Sequence, residues 1–283
     1  MRMPVLGAHV SSSGGLHLAF GRAREMGADA IQCHPTPPHY WGSPKLDDER
    51  VEAFRVAADK AGRPPFYFHA VYLINLAGDD ATLRSRSEST LAGYLAAADR
   101  LGIDGVIFHT GSHKGVGFDK VLPQIREHLL RVMERADPKR AHLLIENNAG
   151  LGGCVGARFE EVRALLDAVD DPRAAVCFDT CHAFASGYDL RTPEGVAKTL
   201  DELDAAVDMA RVECIHANDS QTGLGSFRDR HANIGVGEIG DEGFRALLHE
   251  PRLKKLPFIL EVPGQDGQGP DRPNMDALRR LAA

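Results

Sequence analysis

The sequence contains no long uncharged apolar run. No segment reaches the roughly 18 apolar residues that a membrane span requires. Residues 1–15, MRMPVLGAHVSSSGG, have no apolar core of the kind that marks a secretory signal peptide. We therefore expect a cytoplasmic protein that has no membrane partner.

Cysteine is scarce. The chain has five cysteines, an odd number, and none of them forms a C-x-x-C pair. This pattern excludes a disulfide framework and a thiolate zinc knuckle. We expect reduced and mostly buried thiols at Cys33, Cys154, Cys177, Cys181 and Cys214.

An excess of positive charge is also absent, because 33 Lys and Arg residues face 40 Asp and Glu residues and the formal net charge is −7. A nucleic-acid partner is therefore not held by bulk charge and requires local cations. What the chain does have is an ordinary globular composition, with 43% hydrophobic and 26% charged residues. This composition excludes a disordered, collagen-like or coiled-coil chain.

A repeating unit runs through the whole chain. A short apolar run ends in a polar residue, a loop follows, and a longer amphipathic stretch comes next, which is the alternation of a parallel sheet. The eight predicted strands are Val5–His9, Ala30–His34, Phe66–His69, Val106–His109, Leu143–Glu146, Ala175–Asp179, Val212–His216 and Phe258–Glu261. The predicted helices are Leu16–Met26, Asp48–Ala61, Ala81–Leu101, Asp119–Arg135, Arg158–Val169, Pro193–Ala210, Asp241–His249 and Met275–Leu281.

Eight such units predict an α/β protein, a TIM (β/α)₈ barrel that forms a single domain over residues 1–283. The predicted strands are almost continuously apolar, as expected for strands that are covered on both faces. No linker or low-complexity tract suggests a domain boundary. A doubly wound open sheet is the alternative fold, and we expect the chain to act as a monomer.

Six consecutive predicted strands end in side chains that can bind a metal ion: His69, His109, Glu146, Asp179, His216 and Glu261. In a (β/α)₈ barrel the active site lies at the carboxyl ends of the strands. A single buried histidine is most often a hydrogen-bonded core residue, but this does not explain six such ends in succession. Converging carboxylates repel one another unless cations lie between them, so the pattern predicts a metal site.

Three more candidate ligands follow these strands in loops. His182 comes three residues after Asp179, and Asp229 and His231 form a D-x-H pair in the glycine-rich segment 218–238, NDSQTGLGSFRDRHANIGVGE. Loops longer than about 12–15 residues inside compact domains are usually functional. The alternative interpretation is an exposed flexible loop.

The nine candidates comprise five histidines and four carboxylates. Imidazole and carboxylate ligands without thiolates suit Zn²⁺, Mn²⁺ or Fe²⁺, and at about three protein ligands per metal the set predicts three ions. Three divalent cations would nearly cancel the formal net charge of −7 and would concentrate positive charge at the barrel mouth. An anionic substrate would then have a reason to bind there.

Eight motifs include these residues: GAHVSSSGG (7–15), HAVYLINLAG (69–78), FHTGSH (108–113), ENNAG (146–150), CFDTCHAFASGYD (177–189), HANDS (216–220), RHANIGVGEIG (230–240) and LEVPG (260–264). In these motifs the sequence resembles the endonuclease IV family of abasic-site (AP) endonucleases. The resemblance implies a trinuclear zinc site that hydrolyses the phosphodiester bond 5′ to an abasic site in double-stranded DNA. The expected ends are a 3′-hydroxyl and a 5′-deoxyribose phosphate, and trimming of blocked 3′ ends is expected as a second activity.

The resemblance also implies how three zinc ions share the ligands, with Mn²⁺ or Fe²⁺ as alternatives at some sites. The first zinc would bind His69, His109 and Glu146. The second would bind Glu146, Asp179, His216 and Glu261. The third would bind His182, Asp229 and His231. Glu146 would bridge two ions, and Glu146 and Glu261 are the expected catalytic residues.

Four side chains are expected to contact DNA. Tyr72 and Leu73 follow the first ligand histidine, and the resemblance favours their use as wedges that fill the base stack while the abasic sugar flips out. The alternative is that both are core residues. The segment Ile31–Trp41, IQCHPTPPHYW, departs from the family pattern IQ-x-F. His39 stands where the family often has an arginine, which leaves stacking by His39 or Tyr40.

Two other functions are open. A sugar isomerase or epimerase on the same barrel would use one or two metals and would not need His182, Asp229 and His231. A non-catalytic protein that binds damaged DNA or stores metal would bind without cleaving. Cleavage of an abasic duplex, compared with conversion of a ketose, separates the nuclease from the isomerase.

Overall fold

Parallel strands form a closed barrel in this computed structural model, which describes residues 3–283. The strands are β1 (Val5–His9), β2 (Ala30–Cys33), β3 (Phe66–His69), β4 (Gly105–Phe108), β5 (His142–Glu146), β6 (Ala174–Asp179), β7 (Val212–His216), β8 (Asp219–Ser220), β9 (His231–Ala232) and β10 (Pro257–Leu260). The barrel order is β1 to β7 followed by β10, which closes the ring on β1. The short strands β8 and β9 form a separate antiparallel ladder.

Helices alternate with the barrel strands and pack against one another around them. They are α1 (Ala19–Met26), α2 (Asp48–Lys60), α3 (Ala81–Leu101), α4 (Phe118–Ala136), α5 (Phe159–Val169), α6 (Thr180–Ala185), α7 (Pro193–Val207), α8 (Gly240–His249) and α9 (Arg272–Ala282). Within residues 3–283, the helices are either too short or too polar to cross a bilayer.

Local chemistry sets the helix limits. The Asp47 carboxylate accepts the backbone N–H of Arg50 and caps the start of α2, as an aspartate at this position should. Gly27 and Gly102 end α1 and α3 with φ angles of 79° and 73°, in the left-handed region that glycine adopts without steric cost.

The predicted TIM barrel is confirmed, and each predicted barrel strand is present within one residue at either end. Two of the candidate ligands, His109 and Glu261, lie one residue beyond β4 and β10 rather than inside them. The strands are buried on both faces, which explains their continuous apolar character.

The structure corrects two parts of the predicted organisation. Helix α6 was not predicted, because six residues are too few to show a helical period. It begins directly after β6, where the Asp179 carboxylate accepts the backbone N–H of His182 at 2.7 Å. The segment 218–238 is not a plain loop, because β8 and β9 pair within it.

The barrel interior is filled by a layer of small and medium side chains below the strand ends. Tyr67, Ile107, Leu144 and Ile259 pack there with the thiols of Cys177 and Cys214 and with small alanines. All five cysteines are unpaired, and four of them are buried, as expected. This layer closes the barrel from below, so that polar side chains at the strand ends lie on a dry apolar floor.

Candidate metal centre

The nine candidate ligands converge at the carboxyl end of the barrel. Strands β3 to β7 and β10, the short helix α6 and the segment around β9 supply them. They fall into overlapping groups whose nitrogen and oxygen atoms lie within 4.8 Å of one another. Most are buried, whereas 52% of the Asp229 side chain is exposed.

Glu146 lies at the middle of this cluster. Its Oε2 atom is 3.1 Å from His69 Nε2 and 3.4 Å from His109 Nε2. Its Oε1 atom is 2.9 Å from His216 Nδ1 and 3.3 Å from His182 Nδ1. A single buried carboxylate therefore contacts four histidines, which is the position that a bridging ligand requires.

The other carboxylates extend the cluster on either side. Glu261 Oε2 lies 3.2 Å from His216 Nδ1, and Asp179 Oδ2 lies 3.7 Å from the same atom. At the rim, the two oxygens of Asp229 lie 3.3 Å from His182 Nε2 and 3.2 Å from His231 Nε2. The cluster thus runs continuously from the barrel axis to the surface.

The grouping differs in part from the expected division among three ions. His182, Asp229 and His231 form one group, as expected. His69, however, groups with Glu146, His216 and Glu261, whereas His109 groups with Glu146 and His182. Asp179 groups with Cys181 and His231. The residues are assembled, but distances alone do not divide them into the three expected sets.

Hydrogen bonds fix the ring nitrogens of three of these histidines. The Nδ1 atoms of His69, His182 and His231 lie 2.7, 2.9 and 3.2 Å from the backbone oxygens of Ala70, Asn147 and Glu261. A carbonyl oxygen only accepts, so each Nδ1 carries the proton and donates. In the neutral ring, each Nε2 then presents a lone pair.

Those lone pairs point at carboxylate oxygens. His69 Nε2 faces Glu146, and the Nε2 atoms of His182 and His231 face Asp229, at 3.1 to 3.3 Å. Two acceptors at this distance repel unless a proton or a metal cation lies between them. A metal-binding histidine also usually donates the N–H of its other ring nitrogen to a carbonyl or carboxylate oxygen, as these three histidines do.

Protons take the place of cations where no metal is bound. Burial opposes the charged form of His216, but Glu261 and Glu146 outweigh it and raise the pKa of the imidazole to about 10. His231 is likewise buried, and Asp229 and Asp179 raise its pKa to about 9. Burial raises the pKa of Glu146, but the adjacent histidines hold it well below its usual value. The buried carboxylates of the cluster are thus stabilised by positive charge on the adjacent histidines when no metal ion is bound.

Divalent metal ions fit these residues. His231 Nε2 is buried and makes no hydrogen bond within residues 3–283, although Asp229 Oδ1 lies 3.2 Å away, so its lone pair is left for a ligand. All nine side chains offer imidazole nitrogen or carboxylate oxygen, which suit Zn²⁺, Mn²⁺ and Fe²⁺. Glu261 and Asp229 keep some exposure, which leaves the cluster open toward solvent.

Sequence reasoning missed the amides that orient the candidate ligands. Gln32 accepts the Nε2 proton of His216 at 2.7 Å and donates to Glu261 Oε1 at 2.5 Å. Asn218 donates to Asp179 Oδ2 at 2.7 Å and accepts the backbone N–H of Glu261. A search for titratable side chains passes over glutamine and asparagine, although both residues lie at strand ends.

Asp219 organises the segment that carries Asp229 and His231. Its buried carboxylate accepts backbone N–H groups at 2.8 to 3.4 Å from Ser220, Gly235, Gly237, Ile239 and Gly240. A Cβ atom on Gly237 would lie 2.5 Å from Asp219 Oδ1, so only glycine allows this approach. The segment is therefore fixed from below by one side chain.

The four expected DNA contacts lie in different environments. Tyr72 is 68% exposed, and its ring centroid lies 6.0 Å from that of His69. Leu73 is partly buried against the core, so the expectation that it is exposed holds only in part. His39 and Tyr40 are exposed on the loop after β2, where Tyr40 lines a cavity of about 790 Å³ beside His9 and His34.

Comparison with known proteins defines the class and then the family. The family model described as "Xylose isomerase-like TIM barrel" matches residues 20–282, which places the chain in that broad class. Probable endonuclease 4 of Chloroflexus aurantiacus is 39% identical over 280 residues, covering 99% of this chain and 98% of that protein. Probable endonuclease 4 of Methanoculleus marisnigri is 40% identical, covering 99% of both.

A solved structure agrees with these relatives. The crystal structure of endonuclease IV from Thermus thermophilus superposes with a TM-score of 0.87, at 39% identity and with 98% of each chain covered. The chain belongs to the endonuclease IV family, and it is a deoxyribonuclease, a hydrolase of DNA repair.

Asp219→Asn should loosen the segment that carries Asp229 and His231. The substitution replaces one carboxylate oxygen, an acceptor, with an NH₂ group, a donor, which then faces backbone N–H groups. Each backbone N–H group that is left unpaired costs about 1–3 kcal/mol. Amide hydrogen exchange should accelerate across residues 229–240, while exchange in the barrel strands stays at the wild-type rate.

Asp266→Asn is the matched control, because Asp266 accepts only the N–H of Gln268 in an exposed turn. Its exchange pattern should equal that of the wild type. Unchanged protection of residues 229–240 in Asp219→Asn would show that this carboxylate does not hold the segment.

Proposed function

We propose that this protein is an AP endonuclease that hydrolyses the phosphodiester bond 5′ to an abasic site in double-stranded DNA. The products carry a 3′-hydroxyl and a 5′-deoxyribose phosphate, and blocked 3′ ends are trimmed by the same centre. The observation that carries the proposal is the line of histidine lone pairs facing carboxylates from Glu146 to Asp229. Membership in the endonuclease IV family supports it independently.

The proposed cofactor is three Zn²⁺ ions per chain, with Mn²⁺ or Fe²⁺ as substitutes. The first would be held by His69, His109 and Glu146. The second would be held by Glu146, Asp179, His216 and Glu261. The third would be held by His182, Asp229 and His231. Bound divalent ions would activate water as a nucleophile near neutral pH and neutralise charge on the phosphate.

The chain's own residues set the conditions for this chemistry. The Glu146 side chain has no exposed surface, which keeps bulk water away and strengthens every electrostatic interaction around it. Glu261 is 13% exposed, so its carboxylate lies on the substrate side of the cluster. Gln32 holds the Nε2 proton of His216, which keeps the Nδ1 lone pair directed at Glu146 and Glu261.

Recognition of the lesion is assigned to the loops around the mouth. Tyr72 is exposed beside His69, and with Leu73 it would enter the base stack while the abasic sugar is flipped out. His39 and Tyr40, which are exposed on the loop after β2, would also stack on the DNA. Specificity then depends on the shape of the damaged duplex and on how easily it bends.

The rival functions fit the cluster less well. A sugar isomerase or epimerase with one or two metals does not use a ligand group at the rim, yet His182, Asp229 and His231 form one. A protein that only binds damage has no need of buried paired carboxylates around Glu146. One chain supplies all nine ligands, so we propose a monomer. Five unpaired cysteines favour a reducing, cytoplasmic location.

Nicking of a duplex with one abasic site tests the function directly. The zinc-loaded protein should cut at the abasic site. Glu261→Gln should lower kcat by more than about 100-fold, which exceeds the 10–100-fold loss typical when a residue that hydrogen-bonds to a metal ligand is replaced. Glu202→Gln, on the outer face of α7, is the matched control and should match the wild type.

Two results would contradict this assignment. Near-normal turnover of Glu261→Gln with full metal content would remove Glu261 from the reaction. Conversion of a ketose by the same preparation, without cutting of the abasic duplex, would favour the isomerase.

Tyr72→Ala combined with Leu73→Ala tests the wedge. The double variant should cut abasic duplex about tenfold more slowly, because opening a base step costs a few kcal/mol that the wedge offsets. On a single-stranded abasic substrate the loss should be much smaller. Metal content and circular dichroism should match the wild type, as should the control Val56→Ala on the outside of α2. Equal losses on both substrates would refute the wedge.

A further inference from the structure

Phe227 combines two unusual properties. It lies in the left-handed backbone region, with φ of 54°, and 50% of its surface is exposed. A bulky residue at positive φ is a true outlier, and such strain persists only where the surrounding structure imposes it. Strained and exposed aromatic residues tend to occur at binding sites, because neither property improves the stability of the fold.

Three contacts hold Phe227 in this conformation. Its backbone N–H donates to Ala185 O at 2.9 Å, and the N–H of Gly225 donates to Phe184 O at 3.1 Å. The phenyl ring lies against Gly150, where an added Cβ would be 3.1 Å from Phe227 Cδ1. The segment is thus tied to the end of α6 and to the loop after β5, and half of the surface of Phe227 is still left uncovered.

The position of Phe227 relates it to the metal centre. It precedes the candidate ligand Asp229 by two residues, in the long connection that follows β7. In the closed ring, β7 lies opposite β3, whose loop carries Tyr72. The ring of Phe227, however, packs on the loop after β5, so Phe227 and Tyr72 are exposed aromatic residues on different parts of the rim.

The surroundings of Phe227 combine apolar and cationic groups. Leu151, next to Gly150, is 56% exposed, and Leu224 is 38% exposed in the same segment as Phe227. Arg228 and Arg230 are exposed on either side of Asp229. An aromatic ring flanked by arginines suits nucleic acid, since cations contact the phosphates and the ring contacts a base or sugar face.

We infer that Phe227 stacks on a nucleotide that flanks the lesion, at a part of the rim separate from that of Tyr72. The inference rests on the proposed function and adds a second apolar contact to it. The ligand is the base or deoxyribose face of duplex DNA. The two aromatic side chains then contact the damaged strand at two separate points of the rim.

Two variants separate contact from packing. Phe227→Asn removes the ring but keeps a residue that tolerates left-handed backbone, and Phe227→Tyr keeps the ring. On duplex DNA with one abasic site, Phe227→Asn should raise KM about tenfold at unchanged kcat, within the range measured for the loss of one base–aromatic stack. Phe227→Tyr should stay within about twofold of the wild type by the same reasoning.

The melting temperature, Tm, distinguishes contact with DNA from a purely structural role, because the loss of a structural contact would lower it. Because asparagine relieves the strain, the Tm of Phe227→Asn should equal or exceed that of the wild type. Leu130→Asn, at an exposed leucine on the outside of α4, controls for loss of surface hydrophobicity and should leave KM unchanged.

Three outcomes overturn the inference. Wild-type KM for Phe227→Asn on abasic duplex would show that the ring makes no contact with DNA. A lowered Tm with an equal loss of activity on single-stranded substrate would show that the ring only packs the segment. If the wild type cuts abasic DNA normally, either result leaves the proposed function intact. Failure of the wild type itself to cut would remove both.

Discussion

The structure depends on one electrostatic constraint, which is the burial of carboxylates against the ring nitrogens of histidines. Glu146 sits on a dry floor of apolar side chains and contacts four imidazoles. Backbone carbonyls behind His69 and His182 fix the ring protons on the far side. An arrangement of facing acceptors is stable only with cations between them, as protons or as metal ions.

Other residues at the carboxyl end of the barrel hold these carboxylates and histidines in place. Gln32 and Asn218 form hydrogen bonds to the candidate ligands His216, Glu261 and Asp179 and so fix their orientation. Asp219 fixes the segment that brings Asp229 and His231 over the mouth. That same segment places a strained Phe227 at the rim, so one carboxylate below the segment influences both the ligands and the surface proposed to contact DNA.

The sequence predicted the fold and the set of converging side chains because both follow from periodicity. Strand ends in a barrel meet at one face, so His69, Glu146 and His216 could be brought together without coordinates. Their division into groups could not be predicted, because it depends on rotamers and distances. Helix α6 is too short to show a helical period in the sequence. The residues next to Phe227 in the sequence also do not indicate its positive φ angle.

We propose that metal ions lie between the histidine nitrogens and the carboxylate oxygens that face one another at the barrel mouth. Elemental analysis of protein purified without chelator, combined with native mass spectrometry of the same sample, tests it most directly. We expect about three divalent ions per chain, as nine ligands at about three per ion require. One ion or none per chain, in folded protein that was purified in the presence of zinc, would contradict it.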